Sequence, residues 1–169
     1  RSAFPDIPKN FYQQGISLGV CNYRLPSNEA LAGVKHLNRL DQVLACSDWS
    51  EGDSERLMLD QRDRVIEGTM TNVFIEKNGL LKTPALQESG VEGVLREWLI
   101  NNCHQVSMEC RQQDIDLAQL EQADAVFMCN SVIGIWPVSK FQSRNFAISE
   151  NVRQLMQLIN DRLSSLYVV

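Results

Sequence analysis

Residues 56–84 read RLMLDQRDRVIEGTMTNVFIEKNGLLKTP, and this stretch decides the fold. Three runs within it, RLMLD (56–60), RVIEG (64–68) and NVFIEKNGLLKTP (72–84), are short and rich in apolar or β-branched residues, with turn formers between them. That pattern predicts consecutive antiparallel strands, the last two joined in a hairpin at Lys77, Asn78 and Gly79.

Upstream, ISLGVC (16–21) is an apolar run bounded by Gly15 and Asn22, the mark of a buried strand. Beyond the turn formers Pro26, Ser27 and Asn28, apolar residues fall at Leu37, Leu40, Val43 and Leu44. Helical spacing of this kind predicts a helix from Lys35 or His36 to just before Gly52, with 48–53 as a polar loop. Downstream, GVLREWLINN (93–102) reads as a helix, 105–109 as a strand, 115–122 as a short helix, and 125–129 and 135–138 as strands. The last segment, 149–166, sets Val152, Leu155, Met156, Ile159 and Leu163 on one face behind a Ser149 cap, an amphipathic helix. Strands and helices interleave without an internal repeat or interior linker, so the expected fold is one mixed α/β domain of α+β character spanning 1–169.

With 169 residues, 44% of them hydrophobic and 22% charged, the chain can bury about 70% of its unfolded surface without a disulfide or metal. A net charge of −5 with no clustered Lys and Arg argues against a nucleic-acid partner. Five cysteines, Cys21, Cys46, Cys103, Cys110 and Cys129, have neither zinc nor thioredoxin spacing, so no metal is expected, and reduced thiols suit the cytoplasm. No apolar stretch is long enough to span a membrane, so no membrane partner is expected. Arg1 is not an initiator methionine and 1–10 reads as an extended lead-in; the chain is expected to be the larger part of a longer protein.

Four places can carry chemistry. Lys35 stands at a junction of an apolar pair and a helix, where desolvation lowers an amine's pKa and makes it a Schiff-base former; a solvated surface lysine is the other reading. Glu67 interrupts a strand-like run, and a carboxylate turned into an apolar pocket needs a cation such as a protonated pyridine nitrogen; composition alone favours a strand-end glutamate facing water. Gly93, Val94 and Leu95 open a helix whose first N–H groups can receive a phosphate, or merely let the chain turn. Asn130 and Ser131 end a buried strand, where ligand contacts and ordinary turns are both common. His36 and His104 have no partner at a motif-like spacing and read as structural.

In order, GVKHLNRLDQVL around Lys35, EGTMTNVF from Glu67, GVEGVLRE around Gly93 and FMCNSVIGIWPV around Asn130 resemble successive motifs of the fold type IV pyridoxal 5'-phosphate (PLP) enzymes. That family includes branched-chain and D-amino-acid aminotransferases and aminodeoxychorismate lyase, and KHLNRLDQVL resembles the lyase branch most. The resemblance implies the large C-terminal domain of a two-domain enzyme, a barrel-like, mostly antiparallel mixed sheet flanked by helices. It also implies a homodimer and a small-molecule substrate, 4-amino-4-deoxychorismate cleaved to 4-aminobenzoate and pyruvate in folate synthesis. By position, Lys35 resembles the lysine that carries the cofactor and moves a proton, and Glu67 the carboxylate paired with the pyridine nitrogen. Val94 and Leu95 resemble the pair whose backbone binds the phosphate; Ser131, with Asn130 beside it, resembles the hydroxyl near that phosphate, and Asn72 a structural asparagine. Two departures stand out: Leu95 occupies a position where many relatives have Thr, and Met70 one where some have a small polar residue. The small N-terminal domain, which supplies an Arg to the phosphate, has no counterpart here, so the fragment alone is expected to be nearly inactive.

Overall fold

A computed structural model of the chain describes residues 7–49 and 51–166, with only the backbone at Asp48 and 163–166. The fold is mixed α/β, built on a curled half-barrel sheet. In chain order the elements are α1 (Asn10–Gln13), β1 (Ile16–Leu25), α2 (Leu40–Ala45), β2 (Glu55–Asp60), β3 (Val65–Gly68), β4 (Asn72–Lys77), β5 (Leu80–Thr83) and α3 (Val94–Asn102). Then come β6 (Glu109–Gln112), α4 (Leu117–Glu121), β7 (Ala125–Asn130), β8 (Gly134–Phe141), β9 (Arg144–Asn145) and α5 (Glu150–Leu166). The strands lie in the order β3-β2-β1-β8-β7-β4-β5-β6, with β9 beside β8. β1 runs parallel to both β2 and β8, β5 runs parallel to β6, and the remaining pairs are antiparallel.

Apolar residues on both faces of the central strands explain why the sequence shows continuous runs rather than alternation. On β4, Val73 and Ile75 enter one core cluster with Trp136 and Phe141, while Phe74 between them enters another with Leu99 and Leu155. Phe74 pairs across the ladder with Phe127, and their rings stack with centroids 4.9 Å apart. α3 and α5 cover this second face, α5 through Val152, Leu155 and Ile159; Leu163 has its side chain outside the described residues. Ser149 caps α5, its Oγ accepting from the Val152 N–H at 3.2 Å. The β4–β5 hairpin turns at Asn78 and Gly79, both at positive φ (52° and 75°), as a two-residue connection of this twist requires.

Three expectations are corrected. No helix starts at Lys35: Gly33 forms a bridge with Val91, its N–H donating to Gly90 O and its carbonyl accepting from the Glu92 N–H, and this pairing holds the chain out of helical geometry until Leu40. α2 is therefore short and continues as a 3₁₀ turn over Cys46–Asp48. The strand expected at 105–109 is a 3₁₀ turn over Cys103–Val106 that closes at Ser107 (φ 60°), and the ladder starts only at Glu109, where β5 is available as a partner. Finally, β3 and β4 are consecutive but unpaired, because the chain turns sharply over Thr69–Thr71 and β4 takes β7 as its neighbour. The lead-in expected over 1–10 lies outside the described residues at 1–6, and its last residue, Asn10, opens α1.

Candidate active site

Burial on β3 turns Glu67 inward: it is 3% exposed. The Val91 N–H donates to its Oε2 (2.8 Å) and Gln42 Nε2, from α2, donates to its Oε1 (3.4 Å). Desolvation pushes the carboxyl up to about 7, against the Val91 N–H, the Arg39 charge, the Gln42 amide and the Lys35 charge, which all pull it down. Lys35 and Arg39 thus stand close enough to act on Glu67, although Lys35 itself is exposed. A carboxyl in this condition has backbone support and still lacks a close counter-charge.

The Gly33–Val91 bridge brings Lys35 and Glu67 together, since Val91 is the residue whose N–H holds Glu67. From Val91 the chain runs through Gly93, the cap of α3, into Val94 and Leu95. Asn72 locks this passage. Its Nδ2 donates to Val91 O (2.7 Å), and its Oδ1 lies 2.2 Å from where a Cβ on Gly93 would be, so only glycine fits. The structural role expected of Asn72 agrees with this contact. At the start of α3 the first N–H groups have no acceptor within the helix, and Val94 is 76% exposed there. Three residues separate the Val91 and Val94 nitrogens, a span of at most about 11 Å.

Ser131 is exposed in the β7–β8 turn and lines, with Val94, Leu95 and Trp98, an apolar cleft of about 560 Å³. Val94, Leu95 and Ser131 are therefore brought together. Glu67 lines a different cleft, of about 280 Å³, with Arg39, Gln42 and Val91. The short passage Val91–Val94 connects the two. Asn130 works on backbone: its Nδ2 donates to Met70 O (3.0 Å) and its Oδ1 accepts from the Val132 and Ile133 N–H groups (2.8 and 2.9 Å). One amide N–H is left for other contacts.

Sequence reasoning missed Arg39, Gln42, Val91 and Glu55. Glu55 is fully buried and accepts from Thr69 N and Oγ1, Met70 N, Thr71 Oγ1 and Arg56 N, which fixes the turn that follows Glu67. The threonines either side of Met70 were the available signal, since two hydroxyls flanking a turn require a buried acceptor or water. Nothing local marks Gln42 or Arg39, which reach Glu67 only through the placement of α2. Among the described residues no cluster of His, Cys, Asp and Glu could hold a metal.

The amino-transferase class IV family model matches residues 2–141. The aminodeoxychorismate lyase of Vibrio harveyi is 35% identical over 163 residues, covering 94% of this chain and 60% of that protein. The branched-chain-amino-acid aminotransferase of Escherichia coli K12 is 30% identical over 129 residues, covering 75% of this chain and 42% of its own length. The crystal structure of 4-amino-4-deoxychorismate lyase from Pseudomonas aeruginosa superposes with a TM-score of 0.92 at 40% identity, over 96% of this chain and 60% of that one. The chain thus spans about six-tenths of the length of these two lyases. With a family match over most of its length and the same fold in a solved relative, this chain belongs to the amino-transferase class IV family.

Proposed function

We propose that this chain is the C-terminal cofactor-binding domain of a two-domain PLP-dependent lyase that converts 4-amino-4-deoxychorismate to 4-aminobenzoate and pyruvate. The observation that carries the reading is Glu67, a carboxyl buried to 3% exposure, near Lys35 and short of a counter-charge. The residues present fit PLP: Glu67 suits a protonated pyridine nitrogen, the Val94 and Leu95 N–H groups with the Ser131 hydroxyl suit a phosphate, and the Val91 and Val94 nitrogens, at most about 11 Å apart along the chain, leave both sets within reach of one small molecule. When bound, the cofactor supplies an aldehyde that exchanges amines and an aromatic ring that accepts electrons.

Lys35 would hold the cofactor through its amine, and its free amino group would take the proton from the carbon bearing the substrate amine. Glu67 keeps a proton on the ring nitrogen, so that negative charge is neutralised where it collects. Val94 and Leu95 anchor the phosphate through backbone, so the Leu95 side chain need not supply the hydroxyl that Thr has in many relatives. As the substrate ring loses that proton, its carbon–oxygen bond to the enolpyruvyl group breaks; the departing enolate takes up one proton to become pyruvate, and aromatisation of the substrate ring drives the step. The lyase branch is favoured over an aminotransferase by KHLNRLDQVL at 35–44 and by the 40% identity to the Pseudomonas lyase.

The homodimer expected of such an enzyme is part of the proposal; in it a partner subunit, or the N-terminal domain, would cover the exposed apolar residues Leu37, Leu40, Val43 and Leu44 on and before α2. No helix among the described residues is long and apolar enough to cross a membrane, and the cytoplasmic placement is part of the proposal.

The test uses the full-length protein. With aminodeoxychorismate it should release pyruvate without accumulating pyridoxamine phosphate; accumulation of that amine would make the protein an aminotransferase. Borohydride reduction should leave a phosphopyridoxyl mark on the Lys35 peptide, absent in Lys35→Ala. Absence of the mark in the unmutated protein would make this a non-catalytic member of the family.

A further inference from the structure

Arg96 follows the candidate phosphate residues Val94 and Leu95 in the first turn of α3, and the proposed chemistry does not use it. It is 3% exposed. Burying a guanidinium is costly, and a cation in the first turn opposes the helix dipole, so helix stability alone does not favour arginine at this position. Burial pulls its pKa below the ordinary arginine value, and the Glu92 charge pulls it back up. What holds it is a fork directed at neutral oxygens around the ends of β5 and β6. Its Nε donates to Thr83 Oγ1 (3.3 Å), and its Nη2 donates to Pro84 O (2.8 Å) and to Gln112 Oε1 (3.0 Å).

These bonds close a circuit. The Thr83 hydroxyl, itself fully buried, donates to Val73 O on β4 (2.9 Å). Asn72, the neighbour of Val73, donates to Val91 O, and the chain from Val91 returns through Gly93 to Arg96. The start of α3 is thus tied to β4 twice, by Asn72 just before the helix and by Arg96 through Thr83 within its first turn. Leu95 and Leu99 share a core cluster with Phe74 and Phe127, which presses α3 onto the sheet. That attraction is non-directional and leaves the helix's position along the sheet open. Hydrogen bonds weaken steeply as their angles open, so the circuit is what sets that position.

We infer that Arg96 is a positioning residue for the cofactor phosphate: through Thr83, Pro84 and Gln112 it fixes the first turn of α3, so that the Val94 and Leu95 N–H groups stand at a set place relative to Glu67. It acts through the backbone of α3. This role rests on the proposed seat of the phosphate at those two N–H groups and adds the side chain that holds the seat in place. Glu67 has its own backbone donor, Val91, which Asn72 secures independently of Arg96. Loss of Arg96 should therefore loosen the phosphate end and spare the ring end.

The test is equilibrium dialysis of the full-length protein, stripped of cofactor, against PLP and against pyridoxal, which lacks the phosphate. The ratio of the two affinities reads the phosphate end alone. Arg96→Met keeps the apolar stem and removes the fork; it should lower that ratio about tenfold or more and change pyridoxal binding by less than about twofold. Arg96→Lys keeps a charge but cannot fork, and should lower the ratio about threefold. Thr83→Val, which cuts the circuit and leaves the contacts to Pro84 and Gln112, should do about the same. Thermal melting identifies the variants that stay folded, and if Arg96→Met does not, Arg96→Lys and Thr83→Val decide. A ratio within about twofold of the unmutated value in the folded variants overturns the role. An equal loss of both ligands also overturns it, since general loosening of the fold gives that result. No preference for PLP over pyridoxal in the unmutated protein would overturn it together with the phosphate seat. A preference that falls as expected, with no borohydride mark on Lys35, would count against the proposed reaction alone.

Discussion

Glu55 on β2 and Glu67 on β3 are both buried, 0% and 3% exposed, and the protein treats them in opposite ways. Around Glu55 it gathers five donors from Arg56, Thr69, Met70 and Thr71, so both oxygens are satisfied from within. For Glu67 it provides one close backbone N–H and one long amide contact, and burial pushes that carboxyl up to about 7. Burial alone does not separate a structural acid from a functional one. The inventory of donors does, because a carboxylate left under-satisfied is stable only if something else arrives to neutralise it.

The largest expected effect falls on the satisfied acid. Glu55→Gln puts an amide where Thr69 and Met70 present N–H groups, and should cost about 3 kcal/mol of stability by urea denaturation. A cost below about 1 kcal/mol would erase the contrast between the two glutamates. Glu67→Gln should spare stability at low pH and remove the second effect, which is pH dependence. Glu67's folded value, about 7, lies above its usual 4.5, so between these values the unfolded chain gives up its proton while the native chain keeps it. Its contribution to stability is complete below about 4.5 and is lost by about pH 7, a difference of roughly 3 kcal/mol in the cofactor-free protein. Melting curves from pH 4 to 8 should therefore fall more steeply for the unmutated protein than for Glu67→Gln; parallel curves would place Glu67 among ordinary carboxylates.

Gly68 joins the two environments. A Cβ there would lie 2.2 Å from Thr71 Oγ1 and 3.0 Å from the Glu55 carboxyl carbon. Gly68→Ala should cost about 1–3 kcal/mol in thermal or urea unfolding by forcing the Glu55 turn apart. If it costs nothing, the turn is looser than its hydrogen bonds imply. The smallest effect belongs to Gln42→Ala, which removes a 3.4 Å hydrogen bond from Glu67. The Glu67 midpoint should rise by a few tenths of a pH unit, read by infrared titration of the protonated carboxyl stretch that vanishes in Glu67→Gln, and a fall would mean that Gln42 favours the protonated acid.

The candidate site was legible in the sequence wherever a residue's role depends on its neighbours along the chain. Glu67 followed by Gly68, and Gly93 followed by Val94 and Leu95, keep their local order because a strand end and a helix start are built from consecutive residues. Lys35 was legible as a residue and misread in its setting: the apolar spacing of Leu37, Leu40, Val43 and Leu44 marks an exposed face, not a core-facing helix. Periodicity reports amphipathicity and cannot say which neighbour covers the apolar side.

What the sequence determined by itself is therefore local: the strand runs, the Asn78–Gly79 hairpin, the span of α3 and the placing of the motif residues along the chain. Turn chemistry and side-chain spacing act between adjacent residues, and their energies do not wait for the rest of the fold. The tertiary structure alone decided that β1 lies parallel between β2 and β8, that β3 and β4 part, and that Gly33 pairs with Val91. It also decided that Gln42 and Arg39 act on Glu67. Those choices are made by burial and backbone pairing between segments far apart in the chain, where many partners satisfy the local rules equally and only the whole core selects one.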